Sequence, residues 1–189
     1  MRFTTKNLVV LALLSAIAAA VTFVFNLSLI PAAPFLTYDP KDVFIVLGGF
    51  LFGPLAVILM SATVSFIEML IISKDGFIGM AANMLSTCTF ACTAVLIYRT
   101  RKNVLSAAIG LTIGCVASTC VMLLWNFLIV PLYMQIPDMT IEQTREHVKN
   151  NMLIPVFLPF NLIKGGINAV LLIIVYKPLM LVFAKAKLN

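Results

Sequence analysis

The sequence predicts an all-α membrane protein: one domain over residues 1–189, six transmembrane helices with the second one short, and both termini cytoplasmic. Three observations carry this reading. The 189 residues are 62% hydrophobic and only 11% charged, where a soluble domain would carry about 25% charged residues. The mean hydropathy is +1.10, and the apolar runs are continuous rather than alternating, which selects helices over a barrel. The net charge of +6 is explained by membrane topology, since basic residues collect in cytoplasmic loops. The implied surroundings are the lipid bilayer, with no nucleic acid.

Arg2 and Lys6 precede an apolar run from Leu8 to Phe25. The arrangement imitates a signal peptide as far as Ala18-Ala19-Ala20, but the run continues and is long enough to span. It is read as a retained helix. Ala12, Ala16 and Ala20 recur every four residues, a small-residue stripe suited to close helix contact within the subunit or with a partner.

Asn26 to Lys41 is a polar connection broken by Pro31, Pro34 and Pro40. Val43 to Ile72 is then apolar except for Glu68, and Gly53-Pro54 divides it. Charge decides that the division separates two crossings. Arg99, Arg101 and Lys102 belong on the cytoplasmic side with the amino terminus, so an even number of crossings precedes them. The ten residues Val43–Phe52 make roughly 15 Å of helix against a hydrocarbon core of about 30 Å. The preceding connection must therefore dip into the membrane under cover of protein or a cavity. Thr37 to Asp42 are expected to line that cavity.

Phe77 to Tyr98 gives the fourth span, with Gly79 and Asn83 one turn apart, and Val104 to Pro131 the fifth, with Trp125 and Asn126 toward its outer end. Tyr133 to Asn151 is the longest soluble connection. Thr140-Ile141-Glu142-Gln143 within it fits a capping box opening a short surface helix, and the single His147 is read as solvated.

The last apolar run, Met152 to Tyr176, holds one charge, Lys164. A lysine at that depth costs about 2.5–3.5 kcal/mol on insertion scales, so it either snorkels to the interface or turns toward a partner or a wet cavity. Asn161 shares its helix face three residues earlier. Gly165 and Gly166 bare the backbone for close approach by a helix or ligand. In the six-span topology Arg2, Lys6, Arg99, Arg101, Lys102, Lys177, Lys185 and Lys187 are cytoplasmic. The acids Asp39, Asp42, Glu68, Asp75, Asp138, Glu142 and Glu146 lie outside or in the outer half of the membrane. The polar candidates gather toward the outer face.

Several functions are excluded. No G-x-x-x-x-G-K-[ST] run is present, nor H-E-x-x-H, nor a serine–histidine or cysteine–histidine arrangement. Catalysis and a metal site are not expected, an intramembrane enzyme being the distant alternative. Cys88, Cys92, Cys115 and Cys120 lack zinc-site spacing and are read as small buried residues. No pore-lining register or matched repeat points to a channel or a two-fold carrier. What remains is a small membrane-embedded binding protein that needs partners.

Five stretches carry a family resemblance across nearly the whole chain: Pro34-Phe35-Leu36-Thr37-Tyr38-Asp39 through Asp42; Leu51-Phe52-Gly53-Pro54; Gly79 to Asn83; Trp125-Asn126 through Pro131-Leu132-Tyr133; and Pro159-Phe160-Asn161-Leu162-Ile163-Lys164-Gly165. In them the chain resembles the riboflavin-specific substrate-binding subunits (S components) of energy-coupling factor (ECF) transporters. The resemblance implies six helices, vitamin binding near the outer face, and a bacterial cell membrane. It also implies assembly with a transmembrane coupling subunit, docked on Ala12 and Ala16 with Ala20 continuing the stripe, and with two ATPase subunits. Riboflavin would be cargo, with no cofactor. Its pyrimidine edge suits Asn161 and Lys164, its ribityl hydroxyls Thr37, Asp39 and Asn126, and its dimethylbenzene end Leu36, Met80 and Phe160. Tyr38, Gly79 and Asn83 complete the expected substrate-binding set. Thiamine fits less well because its positive charge would face Lys164.

Overall fold

Thr4 opens α1 (Thr5–Val24) by accepting the Asn7 N–H on its hydroxyl, at 3.3 Å. The computed structural model describes residues 4–30, 33, 36–71, 76–134, 136–137 and 139–185, the side chains of 177 and 179–185 excepted. Outside it lie Arg2, Pro31, Pro34, Phe35, Asp75, Asp138 and Lys187 from the sequence reading, together with the side chains of Lys177 and Lys185. Along α1, Leu11, Leu14, Ser15, Ala18, Ala19 and Thr22 face inward, whereas Ala12, Ala16 and Ala20 are exposed. Packing of the alanine stripe within the subunit is thereby set aside.

The connection after α1 pairs with itself. Two-residue strands β1 (Leu27–Ser28) and β2 (Thr37–Tyr38) run antiparallel, Leu27 opposite Tyr38 and Ser28 opposite Thr37. This small ladder is the one departure from an all-α chain among the described residues. It satisfies backbone groups that no helix serves. From Tyr38 onward the chain sinks into the bundle, with Tyr38, Asp39, Lys41 and Asp42 all buried.

α2 (Lys41–Phe52) and α3 (Pro54–Ile71) meet at Gly53, as the sequence predicted. Gly53 has φ 93°, in the region glycine alone adopts at little cost, and Pro54 has no N–H to continue the first helix. α2 has only 12 residues, ten of them buried. A helix apolar on every side belongs in an interior, and α2 packs on α1, α3, α4 and α7. Its shortness is tolerated because protein surrounds its ends.

α4 (Gly76–Arg101) and α5 (Val104–Tyr133) form the most extensive helix pair. Asn103 and Ser106 cap α5 reciprocally. Five helical stretches are long and apolar enough to cross a membrane: α1, α3, α4, α5 and the continuous stretch Ile141–Tyr176. That last stretch corrects an expectation. The surface helix α6 (Ile141–Val148) begins at the predicted capping box of Thr140 and Gln143. It does not stop before the final span, but continues through a π-helical segment, Lys149–Phe157, into α7 (Leu158–Lys185). Pro155 lies in that segment, and a wider turn accommodates a residue that lacks an N–H and crowds the preceding carbonyl.

Two landmarks orient the bundle. Phe50 on α2, Tyr98 on α4 and Tyr176 on α7 form an aromatic group, with Phe50 and Tyr98 ring centroids 4.0 Å apart and the two tyrosine hydroxyls 3.1 Å apart. Asp42, Thr87 and Asn168, earlier on the same three helices, are hydrogen-bonded together. α2, α4 and α7 therefore run in one direction, about 12–16 Å separating the two groups along each axis.

Of the cysteines, Cys115 is buried, Cys88 and Cys92 are half-buried, and all four are free. Cys120 is exposed on α5, contrary to the buried reading, because it lies on the face turned away from α4 and α7.

α4 and α5 approach backbone to backbone. A Cβ on Gly110 would sit 2.7 Å from the Ala94 carbonyl oxygen, and one on Gly114 2.6 Å from that of Phe90. Gly165 faces Cys115 on α5 just as closely, while Gly166 has open space before it. Gly110→Val should therefore destabilise the protein by about 1–3 kcal/mol through overpacking, seen as a lowered melting temperature in detergent. Gly166→Ala should leave the midpoint nearly unchanged.

Candidate functional site

The segment 37–42 is polar, yet the bundle encloses it, so its charges need partners inside the protein. Lys164 on α7 donates to Asp39 Oδ2 at 3.2 Å. The same oxygen lies 3.5 Å from Lys41 Nζ. Lys41 is 0% exposed and binds both oxygens of Glu68 on α3, each at 2.6 Å. Asn83 on α4 donates to Glu68 Oε2 at 3.3 Å. One ionic chain thus ties α7, the connecting segment, α3 and α4 together.

A second, hydrogen-bonded chain starts one residue earlier. The Tyr38 hydroxyl donates to Asn168 Oδ1 at 3.0 Å, and Asn168 Nδ2 donates to Asp42 Oδ2 at 3.1 Å. Thr87 donates to Asp42 Oδ1 at 2.7 Å. Asp42 lies in the first turn of α2, where the helix dipole favours an anion. Three acids, Asp39, Asp42 and Glu68, and two lysines, Lys41 and Lys164, are thus buried together in the interior.

One acceptor in this cluster is unused. Asp39 Oδ1 is buried and has no hydrogen-bond partner. A desolvated acceptor without a donor costs about 1–3 kcal/mol, more when charged, so a hydroxyl or N–H supplied from outside the chain would be held firmly there. Lys164, with three N–H donors, still has capacity beyond its bond to Asp39. The arrangement can clasp a polar ligand that both donates and accepts.

The expected residues fall in three groups. Tyr38, Asp39, Asn83 and Lys164 are members of the network. Asn161 is buried one turn before Lys164, where its Nδ2 donates to the Phe157 carbonyl at 2.7 Å at the end of the π-helical segment. Phe160 and Asn126 are buried, and Leu36 packs against Val130, Val148 and Phe157. Thr37, Gly79 and Met80 are half-buried and are not among the bonded members of the network. His147 stands apart on α6, 3.2 Å from the Asn151 side chain. Among the described residues no group of His, Cys, Asp and Glu could hold a metal.

Sequence reasoning missed Thr87 and Asn168, left Glu68 without a role, and treated Lys41 and Asp42 only as cavity lining. Helical spacing could have found two of these. Asn168 is four residues after Lys164 and seven after Asn161, and Thr87 is four after Asn83, so each repeats a face already flagged. Glu68, the lone charge of its run, demanded a cation. Lys41 fell within the expected cavity lining, but nothing in the sequence paired it with Glu68.

The family model for the substrate-specific component of ECF transporters matches residues 6–176. Curated relatives include the riboflavin transporter RibU of Staphylococcus aureus (strain TCH60), 32% identical over 179 residues, covering 92% of this chain and 90% of that protein. The riboflavin transporter FmnP of Bacillus subtilis (strain 168) is 27% identical over 177 residues, covering 90% of each. A solved S component of a bacterial ECF transporter superposes with a TM-score of 0.73 at 32% identity, over 93% of this chain and 95% of that one.

The Lys41–Glu68 pair should obey the asymmetry of buried ion pairs. Lys41→Met alone strands the Glu68 carboxylate and should cost about 3–5 kcal/mol, whereas Lys41→Met with Glu68→Leu should recover most of that loss. Thermal denaturation in detergent measures both. Equal losses in the single and double variants would contradict the pairing.

Proposed function

The chain belongs to the substrate-specific components of ECF transporters, and from that premise we propose that it binds riboflavin and hands it to a transmembrane coupling subunit driven by two ATPase subunits. Relatives named riboflavin transporters support the choice of vitamin. The observation that carries the site is the buried Lys164–Asp39 pair, with its unpartnered Asp39 Oδ1. Riboflavin meets both needs. Its pyrimidine edge offers carbonyl and ring-nitrogen acceptors to the Lys164 ammonium and both kinds of group to Asn161. Its ribityl hydroxyls offer donors to Asp39, with Thr37 and Asn126 as further partners. Leu36, Met80 and Phe160 are apolar walls for the ring system, and Tyr38, Gly79 and Asn83 complete the set. The ligand is cargo rather than cofactor.

Lys164 is no obstacle to a cationic vitamin such as thiamine, because it is already paired with Asp39. Riboflavin is preferred on the relatives instead. The protein crosses the bacterial cell membrane six times, α2 serving as the short second crossing. The common direction of α2, α4 and α7 supports this, since even-numbered crossings run alike. Both termini are then cytoplasmic, and the polar cluster lies toward the outer face. No motif for nucleotide hydrolysis occurs in the sequence, so energy comes from partners.

Lys164→Ala removes a charge-assisted hydrogen bond of about 1.5–3 kcal/mol and should weaken riboflavin binding more than tenfold in a fluorescence-quenching titration. Unchanged quenching would remove Lys164 from the site. Docking is tested separately at the exposed stripe of Ala12, Ala16 and Ala20. Ala16→Trp should keep riboflavin binding in detergent yet lose co-purification with the coupling module and uptake by cells, because bulk on a small-residue face holds helices apart. Normal assembly and uptake would overturn that assignment.

A further inference from the structure

Asn168 on α7 is 1% exposed, and it grips the connecting segment twice. Its Oδ1 accepts from the Tyr38 hydroxyl at 3.0 Å, and its Nδ2 donates to Asp42 Oδ2 at 3.1 Å. Tyr38 ends β2 and Asp42 lies in the first turn of α2, so the two bonds bracket Asp39 from either side. Asn168 follows Lys164 by four residues, one turn along the same face of α7. That face therefore meets the segment at three residues, Lys164 at Asp39 and Asn168 at Tyr38 and Asp42.

The two grips differ in what they leave free. Asp39 Oδ1 is buried without a partner, and Lys164 keeps N–H donors beyond its bond to Asp39. No side-chain atom of Tyr38, Thr87, Asn168 or Asp42 is among the buried polar atoms that lack a partner. A fully satisfied network rigidifies what it joins, whereas spare donors and acceptors suit a ligand.

We propose that Asn168 is a positioning residue for the ligand site: it holds the segment 38–42 in its binding shape without touching the ligand, which leaves Lys164 and Asp39 free to bond the ligand. The proposal rests on the riboflavin reading and adds the support that such a site needs. Were the Lys164–Asp39 pair the only grip, any bond the ligand took from it would loosen the segment that carries Asp39. Asn168 removes that conflict. Contacts held by separate supporting bonds lose less freedom when the ligand arrives, so affinity rises through pre-organisation. An amide suits the position, since it accepts from a hydroxyl and donates to a carboxyl oxygen at once.

Asn168→Leu keeps roughly the size of the side chain and removes both bonds. Amide hydrogen exchange is measured on the ligand-free wild type and variant, and riboflavin is titrated against both. In the variant the amides of Asp39, Lys41 and Asp42 should exchange at least tenfold faster, while those of α4 and α5 keep their protection. Riboflavin should bind about tenfold more weakly, because only molecules with the segment in place are competent. Saturating riboflavin should restore the lost protection, since binding draws the population back to the held state. Unchanged affinity despite faster exchange would leave Asn168 a structural residue and overturn the proposal. Weaker binding with unchanged exchange in the segment would make it a direct ligand contact, which overturns the proposal equally. If Asn168→Leu does not fold, Tyr38→Phe decides, because it removes only the oxygen that Asn168 holds: unchanged exchange in the segment there refutes the positioning role. Failure of the wild type to bind riboflavin would instead refute the function on which the proposal rests.

Discussion

A single carboxylate, Asp39, makes the interior of this bundle possible. An isolated ammonium in hydrocarbon is costly, and the chain places two there, on Lys41 and Lys164. Asp39 Oδ2 stands 3.5 Å from one and 3.2 Å from the other. Glu68 is the main partner of Lys41, binding it through both oxygens at 2.6 Å. Because Asp39 belongs to the connection before α2, the same contacts that neutralise the lysines also pin that connection inside the protein.

The short α2 follows from this. With its first turn held at the polar cluster and Phe50 held in the aromatic group, it has no need to reach across a bilayer by itself. α4 and α7 run beside it between the same two landmarks. The lipid-facing surface is left to the longer helices, whose outward residues such as Leu13, Leu105 and Leu124 are exposed and apolar. The inner polar and outer apolar faces arise from one constraint, that every polar group in the bundle must find a partner away from lipid.

Much of this was legible in the sequence, and the remainder was hidden for physical reasons. The break at Gly53-Pro54, the shortness of the second helix and the capping box at Thr140 are local signals, carried by residues whose backbone chemistry allows little else. The importance of Lys164 followed from the cost of an intramembrane charge. Which anion answers it did not, because Asp39 lies 125 residues away in the chain and three acids were available. Lys41 was legible only as one of the cavity-lining residues of Thr37 to Asp42, and not as the most buried charge among the described residues. The fusion of α6 with α7 was equally hidden, since the polar residues up to Asn151 read as a connection ending ahead of the apolar run from Met152.

The central claim is that this buried cluster is a flavin site, and binding by the unmodified protein tests it most directly. The purified protein, stripped of any bound ligand, is titrated into riboflavin while flavin fluorescence is followed. Saturable quenching at one flavin per chain is the predicted result. Fluorescence that stays unchanged at micromolar protein would contradict the account.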